Sequence, residues 1–164
     1  MTREILLQQF ANCYDENGWF AALKYCLSGV TAEQAAWRPA GTDNSIWEIV
    51  AHLNYYNHAY LERFRGNDLE YTKPDNDATF EQAETASEDA WREELIQFDS
   101  VMSGWREEIG KADDAKFAEL APPRNEIPWW HLIANINAHN AHHGGQIVIL
   151  RKLQGSWDSS GGVS

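Results

Sequence analysis

Between Trp91 and Ile109 the apolar residues Trp91, Leu95, Phe98, Met102, Trp105 and Ile109 recur at alternating intervals of four and three, the spacing of a helix-bundle seam. Three further stretches show helical spacing. From Arg3 to Leu27 the positions Leu6, Phe10, Cys13, Phe20, Leu23 and Leu27 fit one helix with a weak point at Asn17-Gly18. Ser45 to Arg65 reads as a second helix, opened by a capping box in which Ser45 caps free amides and Glu48 reaches back, and closed by Gly66. The last helix opens at Pro128 and continues through Leu132, Ile133, Ile136, Ile147 and Leu150 to Gly155. A short helical turn is predicted after Thr31, where Thr31-Ala32-Glu33-Gln34 has the same capping form, with Pro39 and Gly41 as its stop. Asn67 to Ser87 is polar and acidic, with Pro74, Asp75, Asn76 and Asp77 as turn formers, and reads as a long crossover between the second and third main helices. Neither strand alternation nor a Gly-rich phosphate loop appears, so the expected fold class is all-α.

Composition bounds this picture. At 164 residues the chain is long enough for one substantial core, expected over residues 1–157, while Asp158 to Ser164 has little to bury and should fray. No run approaches the roughly 20 apolar residues that span a bilayer, so no membrane partner is expected. The N-terminus lacks a secretory signal pattern, which places the protein in the cytoplasm. Cys13 and Cys26 form no CxxC pair and are expected as reduced, buried thiols. A net charge of −12 with no basic stripe repels phosphate backbones, so nucleic acid is not an expected partner.

The chemistry concentrates in the last helix, where His139, His142 and His143 are three of six histidines. His139 and His143 stand one turn apart on one stripe, their Cβ atoms roughly 5–6 Å apart, and two imidazoles so placed can share a metal ion. A lone histidine on an apolar helix is usually a hydrogen-bonded core residue, but an HxxHH cluster is harder to explain by packing. Open metal sites commonly use three protein ligands, and His52 on the second helix is the best third candidate, ahead of His58 and His131. His142 points about 60° to the other side of His139 from His143 and is expected as a wall of the site or a support behind its ligands. Three neutral ligands leave the ion's charge uncompensated, so a bound water or thiol would be acidified toward neutral pH. Glu48, one turn before His52, is a weak candidate for a catalytic carboxylate, although capping is its simpler role. Asn135 and Gln146 are candidates for hydrogen bonds around the site, and Tyr56 and Trp47 for its walls. The paired Glu-x-x-His motifs of a ferritin-like di-iron site are absent from the sequence.

Trp37-Arg38-Pro39, then Ser45-Ile46-Trp47-Glu48 leading to His52, and HxxHHxGQ from His139 to Gln146, together resemble the DinB/YfiT-like superfamily of bacterial metal-binding helical bundles. The resemblance implies a four-helix bundle with a long connection between helices two and three, and one divalent metal on His52, His139 and His143. Zinc or nickel is favoured over manganese or iron. Proteins of this kind include S-transferases that use bacillithiol or mycothiol and a thiol-dependent isomerase. The implied activity is transfer of a low-molecular-weight thiol to a small electrophile, with a metal-dependent hydrolase and a non-catalytic metal-binding or homodimeric bundle as alternatives. The chain departs from the common pattern at Asn140, where an acidic residue is frequent, and at Gly144, where Arg is frequent.

Overall fold

The computed structural model describes residues 2–41, 44–67 and 69–161. Its α-helices are α1 (Thr2–Tyr14), α2 (Leu23–Leu27), α3 (Ala32–Ala36), α4 (Ile46–Phe64), α5 (Glu88–Lys111), α6 (Asp114–Ala118) and α7 (Trp129–Leu153). No β-strand occurs among the described residues, which confirms the all-α class. The four longest helices close a ring in which α1 packs on α5 and α7, and α4 on the same two. The three short helices fill its ends and seams.

Local chemistry explains most boundaries. Ser45 and Glu48 form the predicted reciprocal box at the start of α4, and Thr31 and Gln34 do the same for α3. Ser87 caps α5, with Glu88 and Asp89 in its first turn and Lys111 in its last, each charge matched to the helix dipole. Gly66 and Gly155 follow α4 and α7 with φ of 90° and 72°, a left-handed conformation that glycine adopts without a Cβ penalty.

The continuous helix expected from Arg3 to Leu27 is two. The chain leaves α1 after Tyr14 because Asn17 Oδ1 accepts the Ala22 amide at 2.9 Å and the Gly18 amide turns to the Phe20 carbonyl. Such local bonds compete with helical ones. The apolar spacing survives the break because α2 returns Leu23, Cys26 and Leu27 to the core. Two elements of the structure, α6 and the 3-10 turn Asp77–Thr79 within the crossover, have no counterpart in the predicted pattern. Of the C-terminal stretch expected to fray, Ser159–Gly161 forms a 3-10 turn and the Asp158 carbonyl accepts the Tyr25 hydroxyl at 3.0 Å; residues 162–164 lie outside the described residues.

The Trp91 to Ile109 seam is core. Trp91, Phe98, Met102, Trp105 and Ile109 are all buried, and both indoles find backbone acceptors, Trp91 at Val30 and Trp105 at Asn57. That seam is therefore consumed within the chain and is not a surface for a second copy. No helix among the described residues is long and apolar enough to cross a membrane.

Candidate metal centre

α4 and α7 pack side by side, and the Asp77–Thr79 turn lies against α4. This brings His52, His139 and His143 together. The Nε2 atom of His139 lies 3.0 Å from that of His52 and 3.1 Å from that of His143, and the three ligand nitrogens all fall within 4.8 Å of one another. Two Zn–N bonds of ~2.0–2.1 Å at a tetrahedral angle would separate their nitrogens by about 3.3 Å. The two contacts of His139 are thus within a few tenths of an ångström of the spacing a metal ion needs, and the cluster can hold one.

Hydrogen bonding behind the rings determines which nitrogen faces inward. The Thr79 hydroxyl donates its one proton to the Asn76 carbonyl at 2.6 Å, so it accepts from His52 Nδ1, also at 2.6 Å. Gln146 Oε1, an acceptor only, receives His143 Nδ1–H at 2.6 Å. Both rings therefore present an Nε2 lone pair to the centre. His139 Nε2 has a single in-plane N–H or lone pair, so it can donate to only one of these neighbours and leaves the other's lone pair without a donor at about 3 Å. A shared cation removes that conflict.

The rings are also kept neutral. Burial, reinforced by His143 and His139, pushes His52 down to about 3; burial, with His143 and His142, pushes His139 down to about 4. Burial lowers His143 as well, partly offset by its bond to Gln146. Neutral imidazole is the form that ligates a metal.

On one side the centre opens into a cleft of about 290 Å³, lined by Tyr56, Asn57, Tyr60, Asn76, Asn135 and His139 together with Leu132 and Ile136. None of these eight carries a formal negative charge. Tyr56 stands at 71° to the His52 ring at 5.0 Å between centroids, and Phe80 stacks on that ring at 4.0 Å and 10°. Burial and the neighbouring Tyr71, Tyr55 and Asp75 raise the Tyr56 phenol above its ordinary value, so it stays protonated and donates to Asn76 Oδ1.

The structure sorts the remaining sequence candidates. Gln146 orients a histidine of the cluster, while Asn135 and Tyr56 line the cleft. His142 is exposed, its ring 5.1 Å from that of His143. Glu48 is buried with both carboxylate oxygens engaged, one on the Ser45 amide and both on the Arg38 guanidinium. Trp47 packs against Trp91 at 5.1 Å in the core. His58 is exposed and His131 stacks on Trp130, both outside the cluster. Thr79 and Phe80 escaped the sequence reading because they sit in an irregular crossover, where only their distance from His52 in space gives them a role.

The two departures from the common pattern have packing accounts. Asn140 is fully buried and trades two amide hydrogen bonds with Asn57, at 2.9 and 3.2 Å. Gly144 is buried against α2, where a Cβ would lie in ordinary van der Waals contact with Leu23 and the Ala21 carbonyl.

A helical bundle with a three-histidine cluster between its second and fourth long helices is the architecture expected of a metal-binding bundle protein. A DinB superfamily model matches residues 16–147, four-fifths of the chain including all three histidines, and the chain belongs to that superfamily. No curated protein and no solved structure gives a significant match.

Proposed function

We propose that this chain is a divalent-metal-dependent enzyme that transfers a low-molecular-weight thiol to a small electrophile. The observation that carries the reading is the convergence of three neutral imidazoles, one of which, His139, lines a cleft without a carboxylate. A divalent ion held by His52, His139 and His143, zinc or nickel in preference to manganese or iron, supplies Lewis acidity that brings a thiol to its anion near neutral pH.

The side chains do the rest. Thr79 and Gln146 hold two of the rings in register, and Phe80 and Tyr56 pack on His52 and limit water around it. Tyr56 and Asn135 offer polar atoms to the substrate. Sulfur forms a bond to the electrophilic carbon, the leaving group departs with its bonding pair, and the thiol proton passes to buffer. A thiol with a pKa of about 8.5 needs only modest acidification, whereas hydrolysis calls for a positioned acid or base. No carboxylate lines the cleft, and Glu48 is committed to Arg38 and Ser45. This favours thiol transfer over hydrolysis. The two unpaired, buried cysteines suit a reducing cytoplasm.

Elemental analysis of the purified protein should give about one divalent ion per chain, lost in folded His52→Ala and His139→Ala variants. Conjugation of monochlorobimane with a panel of low-molecular-weight thiols should then depend on both thiol and metal. Ester cleavage without thiol would move the assignment to hydrolase. Absence of metal after reconstitution would reject the site.

A further inference from the structure

The cleft at the histidine cluster does not end at Tyr60. Tyr60 and Leu132 also line a second cavity, of about 240 Å³, walled further by Tyr71 and Ile127, so the two are adjoining chambers. Their chemistry differs. The first chamber has no Asp, Glu, Lys or Arg in its lining, whereas Arg124 and Glu126 stand on the rim of the second. Both are exposed, and among the described residues neither side chain pairs with the other or with any further group.

Unpaired charges on a flat surface would need no explanation. Here a built turn presents them to a cavity that leads to the cluster. The Asn125 amide donates to the Ala121 carbonyl at 3.0 Å, and the Ala121 amide to the Ile127 carbonyl at 2.9 Å. Asn125 itself takes the left-handed conformation, with φ of 55°, and so sets Arg124 and Glu126 on either side of the bend. Little ordering cost is added when a ligand meets a turn already held in this way.

A second cation stands behind the wall. Arg63 is buried, its guanidinium 4.1 Å from the centroid of the Tyr71 ring and 5.5 Å from that of Tyr60, the two tyrosines of the second chamber. It donates to the Leu69 carbonyl and has no carboxylate partner among the described residues. A buried guanidinium without a counter-ion projects its field through a low-dielectric wall. In a chain of net charge −12, this chamber is therefore a place where an anionic group is drawn in.

Resting on the thiol-transfer reading, we infer that the second chamber selects the thiol. It takes the amino-acid end of a peptide-like thiol, carboxylate on Arg124 and ammonium on Glu126, while the sulfur lies at the histidine cluster. The guanidinium fork matches a carboxylate in two parallel hydrogen bonds. A carboxylate alone would meet Glu126, and an ammonium alone would meet Arg124 and the field of Arg63. A zwitterion satisfies both. Reach sets the size. Leu132 precedes His139 by seven residues, two turns of α7, so the second chamber begins about 10 Å from the cluster. At about 3.3–3.6 Å per extended residue that distance calls for a thiol of roughly tripeptide length, and free cysteine is too short.

Calorimetric titration of the metal-loaded, full-length protein with S-methylglutathione tests this without turnover, since that ligand keeps the remote amino-acid end and has no thiol. Wild type should bind it at about millimolar or better. Arg124→Ala should raise the dissociation constant about 5- to 10-fold, and Arg124→Lys less, because charge survives without the fork. Glu126→Gln should weaken S-methylglutathione yet strengthen its N-acetyl derivative, which has no ammonium and meets only repulsion at Glu126; structural damage would weaken both. S-methylcysteine, too short to span the chambers, should bind more weakly and respond to neither substitution. Circular dichroism and metal content check that each variant is intact. No binding of S-methylglutathione, or binding indifferent to both positions, overturns the inference, while conjugation of other thiols would still uphold thiol transfer. If inorganic phosphate competes and Glu126→Gln tightens both glutathione derivatives, the chamber is a plain anion site and the zwitterion is rejected. Binding as expected with no conjugation of any thiol would reject transfer alone and support the chamber's selectivity.

Discussion

Thr79→Val isolates the contribution of one hydroxyl to metal binding. Valine keeps the shape of threonine but cannot accept the proton of His52 Nδ1, now bonded at 2.6 Å in a region where His52 is 2% exposed. A buried N–H left without an acceptor costs about 1–3 kcal/mol. The ring escapes that cost by moving its proton to Nε2, which withdraws the lone pair aimed at the cluster. By either route metal affinity should fall about 10- to 100-fold, the usual effect of removing an outer hydrogen-bond partner, equivalent to about 1.4–2.7 kcal/mol. Competition against a chromophoric chelator near neutral pH measures the change, with circular dichroism as a check on folding. Thr79→Ser retains the hydroxyl and should restore most of the affinity. A folded Thr79→Val protein with wild-type affinity would refute the claim that this hydroxyl orients His52.

Three further outcomes follow from the same geometry. Glu48→Ala removes both the α4 capping box and the buried partner of Arg38, so it should lower unfolding free energy by about 1–3 kcal/mol in urea titration while leaving one metal per chain; loss of metal with the fold intact would return Glu48 to the site. In metal-free protein the folded values of about 3 for His52 and about 4 for His139 lie below the ordinary value near 6.5, so the unfolded chain takes up protons first as pH falls. Stability should therefore be full above about pH 6.5 and decline below it, by up to about 1.4 kcal/mol per pH unit for His52 and less for the part-exposed His139. Urea titrations at neutral and mildly acidic pH should show this slope, and His52→Ala should flatten it; an unchanged slope would rule out His52 as its source. Burial pushes the Cys13 thiol up to about 11 and Cys26 up to about 12, so both should react with a disulfide reagent only at the rate of unfolding, and rapid labelling of native protein would contradict their burial.

Several features of this protein were written locally. Ser45 with Glu48 and Thr31 with Gln34 specify helix starts through side chains three residues apart, and Gly66 and Gly155 specify ends through a backbone conformation. The seam from Trp91 to Ile109 and the one-turn spacing of His139 and His143 rest on a helical period that a sequence displays directly. His52 as a third ligand was reachable because it lies on a well-signalled helix. The break of the first helical stretch was harder to see, because α2 resumes the apolar pattern after the Asn17 link and the spacing alone reads as continuous.

What tertiary structure alone decided lies in the irregular segments and between helices. Thr79 and Phe80 have no periodicity to mark them, and they acquire roles only when the crossover folds back on α4 and sets one to hydrogen-bond, the other to stack, on His52. The neutrality of the histidines, the reciprocal pairing of Asn57 with Asn140, and the unpartnered amide of Asn137 likewise depend on which groups the packing of α1, α4 and α7 leaves beside one another. Helix starts, stops and faces are set by interactions within a few residues, so the sequence by itself determined them. Desolvation, hydrogen-bond partnership and the opening of a cleft arise from residues far apart in the chain, and only the packed fold determines those.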